Sequence, residues 1–209
     1  MDAATDSNRW SLFLEQFKML ALNEIKELQR RLAMYDDESA YKELFITFYK
    51  PLQQFACSFV KSKELAEEIV SDVFLKIWLN RAEVNSIDNF RVYLYISIKN
   101  TALKYLLKQH KQVAISIDEL DVELESLGRN PEEIMLTAEM LNRIKTAVNS
   151  LPPRCKIIFK LIKEDGLRYK EVAEILNISV KTIDNQLAIA LSKISKAVSV
   201  DLDWILRNN

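Results

Sequence analysis

Two glycines and four prolines in 209 residues leave this chain few places to turn sharply. A sheet protein needs turn residues at every hairpin, so the scarcity argues for long helices. Apolar spacing agrees: Leu14, Phe17, Leu20 or Ala21, Ile25, Leu28 and Leu32 recur at helical intervals across Trp10–Met34. Asp36 and Asp37 then supply an N-cap for a helix from Glu38 to about Tyr49, which Pro51 is expected to interrupt. Helices over Leu52–Val60 and Glu64–Leu79 follow, the second with Leu65, Ile69, Val73 and Ile77 in register. Asn80–Asn89 reads as a polar loop, and Phe90–Gln109 as a further helix carrying Tyr93 or Leu94, Ile98, Ala102, and Tyr105 or Leu106.

Val113 to roughly Asn130 is acidic and without sustained period, and Gly128 and Pro131 punctuate it, so it reads as a linker. Fully extended, about 25 such residues span up to ~85 Å. Helical pattern returns from Pro131 to Ser150, and Leu151-Pro152-Pro153 stops it. Arg154–Lys163, Tyr169–Leu176 and Val180–Val198 are three shorter predicted helices. The predicted fold class is all-α, two small helical domains joined by an acidic linker.

Composition excludes several functions. Hydrophobic residues at 49% and charged residues at 28% are the balance of a globular protein large enough for one core or two small ones. Cys57 and Cys155 lie in apolar surroundings without a paired spacing, so neither a disulfide framework nor a zinc site is predicted. His110, the single histidine, stands in the basic run Lys108–Lys111 and reads as a neighbour of phosphate. No catalytic carboxylate pair, nucleophile–histidine set or phosphate-cradling glycine loop is present, so a non-enzyme with no cofactor, no metal and no small-molecule substrate is expected. Met1–Arg9 lacks a signal pattern, and no apolar run reaches the roughly 20 residues that span a bilayer. A cytoplasmic protein with no direct membrane insertion is expected.

A formal net charge of −1 hides strong local asymmetry. Arg91–Gln112 holds five lysines or arginines and no acid; Asp118–Glu139 holds eight acids against Arg129; Arg154–Ala197 holds nine basic residues against five acids. Two basic blocks flanking an acidic one suit two polyanion-binding heads and a segment that avoids the polyanion.

The second basic block contains a helix-turn-helix pattern. Ala173 is small enough for two helices to cross closely, Asn177 fits the left-handed end of the first, Ile178 plugs the corner, and Ser179 caps the second. Val172, Leu176, Ile183, Leu187, Leu191 and Ile194 form the expected shared core. Lys181, Thr182, Asp184, Asn185, Gln186 and Ser192 are left facing outward, with the N-terminal ones suited to base edges in a major groove. This pattern alone does not separate a repressor from other DNA readers.

Read together, the two halves resemble the extracytoplasmic-function family of bacterial RNA polymerase sigma factors. Asp36–Phe45 looks like the opening of sigma domain two, and Glu67–Trp78 resembles the family's core-binding helix. Phe90–Leu106 resembles its promoter-melting and minus-ten-reading helix. Leu151-Pro-Pro-Arg-Cys155, Tyr169-Lys-Glu-Val-Ala173 and Ser179-Val-Lys-Thr-Ile183 match sigma domain four. The pattern Ser179–Leu187 looks most like members from Bacteroidetes-type bacteria. The resemblance covers roughly Asp36–Ala197.

The resemblance implies an organisation and a set of roles. Residues 1–35 would be an N-terminal helical extension, 36–112 sigma domain two of four-helix type, 113–138 the linker, 139–200 sigma domain four, and 201–209 a tail. Glu67, Glu68, Asp72 and Lys76 would meet the clamp coiled coil of the RNA polymerase core. Arg91, Tyr93, Lys99, Asn100 and Lys104 would melt and read promoter DNA at the minus-ten element, with the Asn80–Asn89 loop where a flipped-out base is captured. Ser179, Lys181, Thr182, Asn185 and Gln186 would read the minus-thirty-five element. An anti-sigma factor is a further implied partner. The chain departs from the family where Tyr93 replaces a common tryptophan, at Lys104 near a usual acid, and where Asp184, Gln186 and Ile189 stand in place of arginines. That points to a weaker phosphate grip or a different consensus. The competing reading is a stand-alone helix-turn-helix regulator with a sensing or dimerising first half, which leaves the acid-free Arg91–Gln112 block poorly explained. An enzyme comes third.

Overall fold

A computed structural model describes residues 22–108 and 143–207, with side chains described as far as 196. Among the described residues every regular element is helical. The chain divides into two compact units, Met1–Ala114 with Lys163–Leu167, and Ile115–Ile162 with Arg168–Asn209.

In the first unit, α1 (Leu22–Tyr35), α2 (Glu38–Val60), α3 (Lys63–Leu79) and α4 (Phe90–Lys108) surround one core. Asp37 caps α2: its carboxylate accepts the backbone N–H groups of Ser39 at 2.9 Å and Ala40 at 3.2 Å. The Ser39 hydroxyl and the Arg31 guanidinium hold that carboxyl well below its ordinary range. Asp36, expected to share the cap, instead turns the corner at φ 50 and pairs with Arg81.

Pro51 does not interrupt the helix: α2 runs unbroken from Glu38 to Val60. Proline removes one backbone donor, but Ala40, Leu44, Phe48, Leu52, Phe55 and Phe59 form a single buried stripe that continues through it. That stripe meets α4 through ring contacts, Phe48 with Phe90 at 6.2 Å and Phe55 with Tyr95 at 5.0 Å between centroids. Lys61, left-handed at φ 53, ends α2, and Ser62 at once caps α3 by accepting the Leu65 N–H at 3.2 Å. Leu65 itself is only half-buried; Ala66, Ile69, Val70, Val73, Phe74 and Ile77 carry the α3 core.

The expected polar loop after α3 is in part a 3-10 turn, Arg81–Ser86, with Val84 buried. Gln29 of α1, itself 1% exposed, fastens it by donating to the carbonyls of Val84 at 2.7 Å and Ile87 at 3.0 Å. Lys26 donates to Asn85 and Ile87 alongside. Of the extension expected over residues 1–35, the part before Leu22 lies outside the described residues, as do residues 109–142, which hold His110 and the acidic linker expected over 113–138.

In the second unit, helix α5 (143–149) buries Ile144, Ala147 and Val148. Pro152 and Pro153 open α6 (Pro153–Phe159), which passes into a π turn at Lys160–Glu164 where a single longer helix was expected. Then come α7 (Tyr169–Leu176) and α8 (Val180–Arg207), which continues past the expected end at Val198. Both α6 and α7 pack on α8. The α7–α8 corner follows the expected chemistry. Asn177 is left-handed at φ 55 and ψ 50, and the N–H groups of Ile178 and Asn177 reach back to the carbonyls of Ala173 and Glu174. Ser179 accepts the Thr182 N–H at 3.0 Å.

One expected core position is corrected. Leu191 is 39% exposed, and Ala190 is fully buried in its place. The buried row Ile183, Leu187, Ala190, Ile194 advances by four, three and four, which tracks the 3.6-residue period and leaves 191 one step round the helix. Cys155 is buried but Cys57 is only half-buried.

Two stability measurements check these assignments. Phe48→Ala, which empties a fully buried site, lowers the unfolding free energy by about 3–5 kcal/mol in urea titrations, while Ile46→Ala on the exposed side of the same helix stays within about 0.5 kcal/mol. Asn177→Gly keeps or raises the melting temperature, whereas Asn177→Val costs about 1–2 kcal/mol because a β-branched residue resists the left-handed corner.

Candidate functional site

Three exposed surfaces carry the residues singled out by sequence. The first is the outer face of α3. Glu68 and Lys76 are exposed, and Glu67 and Asp72 half-buried. Glu68, Asp72 and Lys76 succeed one another at four-residue steps and so share one stripe. Lys63 approaches Glu67 at 3.9 Å, a loose pair in solvent. The stripe has an anchor that sequence reasoning missed: the Tyr105 hydroxyl of α4 donates to Asp72 at 2.7 Å and approaches Glu68 at 3.0 Å. Those carboxylates, with Asp72 foremost, push the Tyr105 phenol well above its ordinary range and keep it protonated. A separation of 33 residues from Asp72 left no local signal for this contact, and core spacing alone offered Tyr105 as an alternative to Leu106, which is the buried one.

On the other flank of α3 lies an apolar groove of about 790 Å³, walled by Tyr41 and Phe45 of α2 and by Phe74, Leu75 and Trp78 of α3. Tyr41 donates to the Phe74 carbonyl at 3.1 Å, and Arg81 stands 4.8 Å over the Trp78 ring. α3 therefore offers an acidic flank and an aromatic flank on one exposed helix.

The second surface is α4. Tyr93, Asn100 and Lys104 are exposed, and their steps of seven and four place them on one face. Tyr93 is 41% exposed with its ring stacked on that of buried Phe90, 6.3 Å between centroids and 16° between planes. Of the two tyrosines two apart, Tyr95 is the core one. Lys99 is half-buried, and desolvation lowers its pKa. Arg91 stands apart from this face. It is buried within the first unit, donating at 2.5 Å to the carbonyl of Asp165 in the Lys163–Leu167 stretch that groups there. Charge counting along the sequence could not separate Arg91 from the exposed cations, because it ignores which face of the helix each occupies.

The third surface is the start of α8. Lys181, Asp184 and Asn185 are exposed. Ser179 and Thr182 spend their hydroxyls on each other at 2.8 Å in completing the cap. Gln186 is half-buried and accepts the Cys155 thiol of α6 at 2.9 Å, so one of its amide atoms is engaged inward. Lys181 and Asn185, one turn apart, are left as the outward polar pair of the predicted set. Ile189, 44% exposed, and Ala188 continue the face and are apolar; Ala188 carried no signal in the charge pattern. Among the described residues no cluster suited to holding a metal ion occurs, and no helix is long and apolar enough to cross a membrane.

Comparison with known proteins gives these surfaces a family. Residues 44–112 match Sigma-70 region 2, and residues 141–194 match Sigma-70, region 4. The chain is 27% identical over 169 residues to the ECF RNA polymerase sigma-E factor of Escherichia coli strain K12, covering 78% of this chain and 88% of that protein. It is 20% identical over 177 residues to the ECF RNA polymerase sigma factor SigW of Bacillus subtilis strain 168, covering 81% and 92%. Among solved structures it is similar to the sigma factor RpoE crystallised with the anti-sigma factor NepR from Bartonella quintana, at 22% identity and a TM-score of 0.49, covering 77% of this chain and 98% of that one. The two matched regions together span more than half of the chain in family order, and the chain belongs to the sigma-70 family as an extracytoplasmic-function RNA polymerase sigma factor.

Proposed function

We propose that the promoter-directing task is divided among the three surfaces. The outer face of α3, with Glu67, Glu68, Asp72 and Lys76, docks on the clamp coiled coil of core polymerase. Charged residues there set register and association rate more than raw affinity. The exposed face of α4 melts the minus-ten element: Tyr93 offers a ring to an unstacked base, Asn100 hydrogen-bonds a base edge, and Lys104 holds the backbone. Base–aromatic stacking contributes about 1–3 kcal/mol per base, enough to offset much of the unstacking cost. At the minus-thirty-five element Lys181 of α8 holds a phosphate and Asn185 reads a base edge, with Ser179, Thr182 and Gln186 fixing the approach of the helix.

The observation that carries this reading is the alignment of Tyr93, Asn100 and Lys104 on one exposed face of a helix whose sequence from Arg91 to Gln112 holds no acidic residue. A stack partner, a base-edge donor–acceptor and a phosphate-binding amine on one stripe suit single-stranded DNA beside a duplex. Arg91, being buried, acts there by supporting the helix. Boundaries at 36–112 and 139–200 for the two heads enclose the matched regions 44–112 and 141–194. The protein works in the cytoplasm, where promoter and polymerase are, and an anti-sigma factor is its regulatory partner. The resemblance of the Ser179–Leu187 pattern to Bacteroidetes-type members supports a kinship with them.

Transcription with core polymerase from the source organism on genomic DNA produces discrete new starts when the chain is added; their complete absence with active core defeats the proposal. In the same assay Lys181→Ala weakens every promoter alike and lowers the slope of log affinity against log salt by about one, the signature of one lost phosphate contact. Asn185→Ala instead relaxes preference at a single base pair, by about 1–3 kcal/mol. Tyr93→Ala leaves duplex binding unchanged and reduces open-complex formation about tenfold, measured by permanganate reactivity of unpaired thymines.

A further inference from the structure

We infer that Tyr105 is a positioning residue for polymerase docking: its hydroxyl gathers Glu68 and Asp72 into one preset acidic pair on α3. This inference rests on the reading of the outer face of α3 as the polymerase-facing surface, and adds to it a residue outside that face.

The geometry is specific. Glu68 and Asp72 are one helical turn apart, a spacing at which like charges repel and side chains splay. A single phenolic oxygen lies 2.7 Å from an Asp72 oxygen and 3.0 Å from a Glu68 oxygen, and only one proton is available between them. Donation shared in this way draws both carboxylates toward one point and removes most of their rotamer freedom. Both keep further lone pairs to accept from a partner, since a carboxylate has about four acceptor sites. The ring is well placed to hold this position. Tyr105 precedes buried Leu106 on a helix whose core residues are locked against α2 and α3, so the hydroxyl reaches the edge of α3 from a rigid base.

Glutamate and aspartate on an open helix must be ordered when a basic partner binds, and ordering them costs affinity. A surface whose acidic groups are already in place avoids that loss, so the hydroxyl raises polymerase affinity without touching polymerase. The partner chemistry that fits is a guanidinium, whose planar fork spans two neighbouring carboxylate oxygens. The same bond ties α3 to α4, so the residue that presets the docking face sits on the helix that carries Tyr93, Asn100 and Lys104.

The test is a double-mutant cycle on the full chain with intact core polymerase, reading the affinity of holoenzyme formation by fluorescence anisotropy at several salt concentrations. Tyr105→Phe keeps the ring and removes only the hydroxyl. Its affinity falls about three- to tenfold, as expected for two long side chains losing their order. In promoter-dependent transcription, the concentration giving half-maximal activity rises by the same factor and the plateau is unchanged. In the background Glu68→Gln with Asp72→Asn, which by itself weakens binding and flattens the salt dependence, Tyr105→Phe has no further effect. Additive losses there, or an affinity that Tyr105→Phe leaves unchanged or raises, overturn the inference. A Glu68→Gln, Asp72→Asn variant with parental affinity and salt slope defeats the polymerase-facing reading of α3 instead. Should Tyr105→Phe shift the thermal unfolding midpoint by more than about 5 °C, the Asp72→Asn single variant supplies the same cycle with Glu68→Gln. Coupling between those two beyond twofold then supports a preset pair, and independence overturns it.

Discussion

A chain with two glycines must reverse most of its helices without them, and the architecture depends on how it does so. At three of its corners a non-glycine residue takes the left-handed conformation, Asp36 at φ 50, Lys61 at φ 53 and Asn177 at φ 55. That conformation costs an ordinary side chain such as that of Lys61 roughly 1–2 kcal/mol, and Asp36 and Asn177 less, because their short polar side chains can hydrogen-bond locally. In every case the following helix is capped within two residues by a side chain that accepts its orphan N–H groups: Asp37 for α2, Ser62 for α3, Ser179 for α8. Caps of this kind contribute about 1 kcal/mol each, so they offset much of the corner strain and fix where each helix begins. The functional faces follow from those starting points. A start displaced by one residue would rotate α3 by about 100° and turn the Glu68–Asp72–Lys76 stripe away from its present side.

Core packing then decides which side chains are left to act. α4 buries Leu94, Ile98, Ala102 and Leu106 on one side, so Tyr93, Asn100 and Lys104 are forced together on the other. Tyr93 is held in place by the ring of Phe90, which is itself fixed by Phe48 of α2. The exposed aromatic face is thus presented by a chain of ring contacts that begins in the core. An aromatic that were free to swing would lose part of its stacking energy to ordering; one already laid on a buried ring keeps most of it.

Most of the helices were legible because a 3.6-residue apolar period survives in sequence, as were the Asn177 corner and the Ser179 cap, which are local. The unbroken α2 was not legible: proline at 51 is a strong local signal for a break, and the stripe from Ala40 to Phe59 overrules it only once α3 and α4 are in place. The turn at Arg81–Ser86 was hidden for a related reason, since its organiser, Gln29, lies 55 residues away from Val84. Within the sites the same division holds. Residue type and helical position marked the Glu67–Lys76 stripe, Tyr93 and Lys181. They did not reveal that Arg91 is buried, that Gln186 accepts from Cys155, or that Tyr105 joins two carboxylates. Each of those facts is a contact between elements distant in sequence, and periodicity carries no information about partners.

The cations of α4 are not equivalent either, and the difference bears on how such a protein holds melted DNA. Lys99 is half-buried, and desolvation disfavours its ammonium form. Lys104 is exposed. Counterion release rewards each phosphate neutralised, and a fully solvated amine obtains that reward at little cost. Lys104, on the exposed face with Tyr93 and Asn100, is thus the cation of α4 best suited to the backbone grip proposed above, and the half-buried Lys99 is less so.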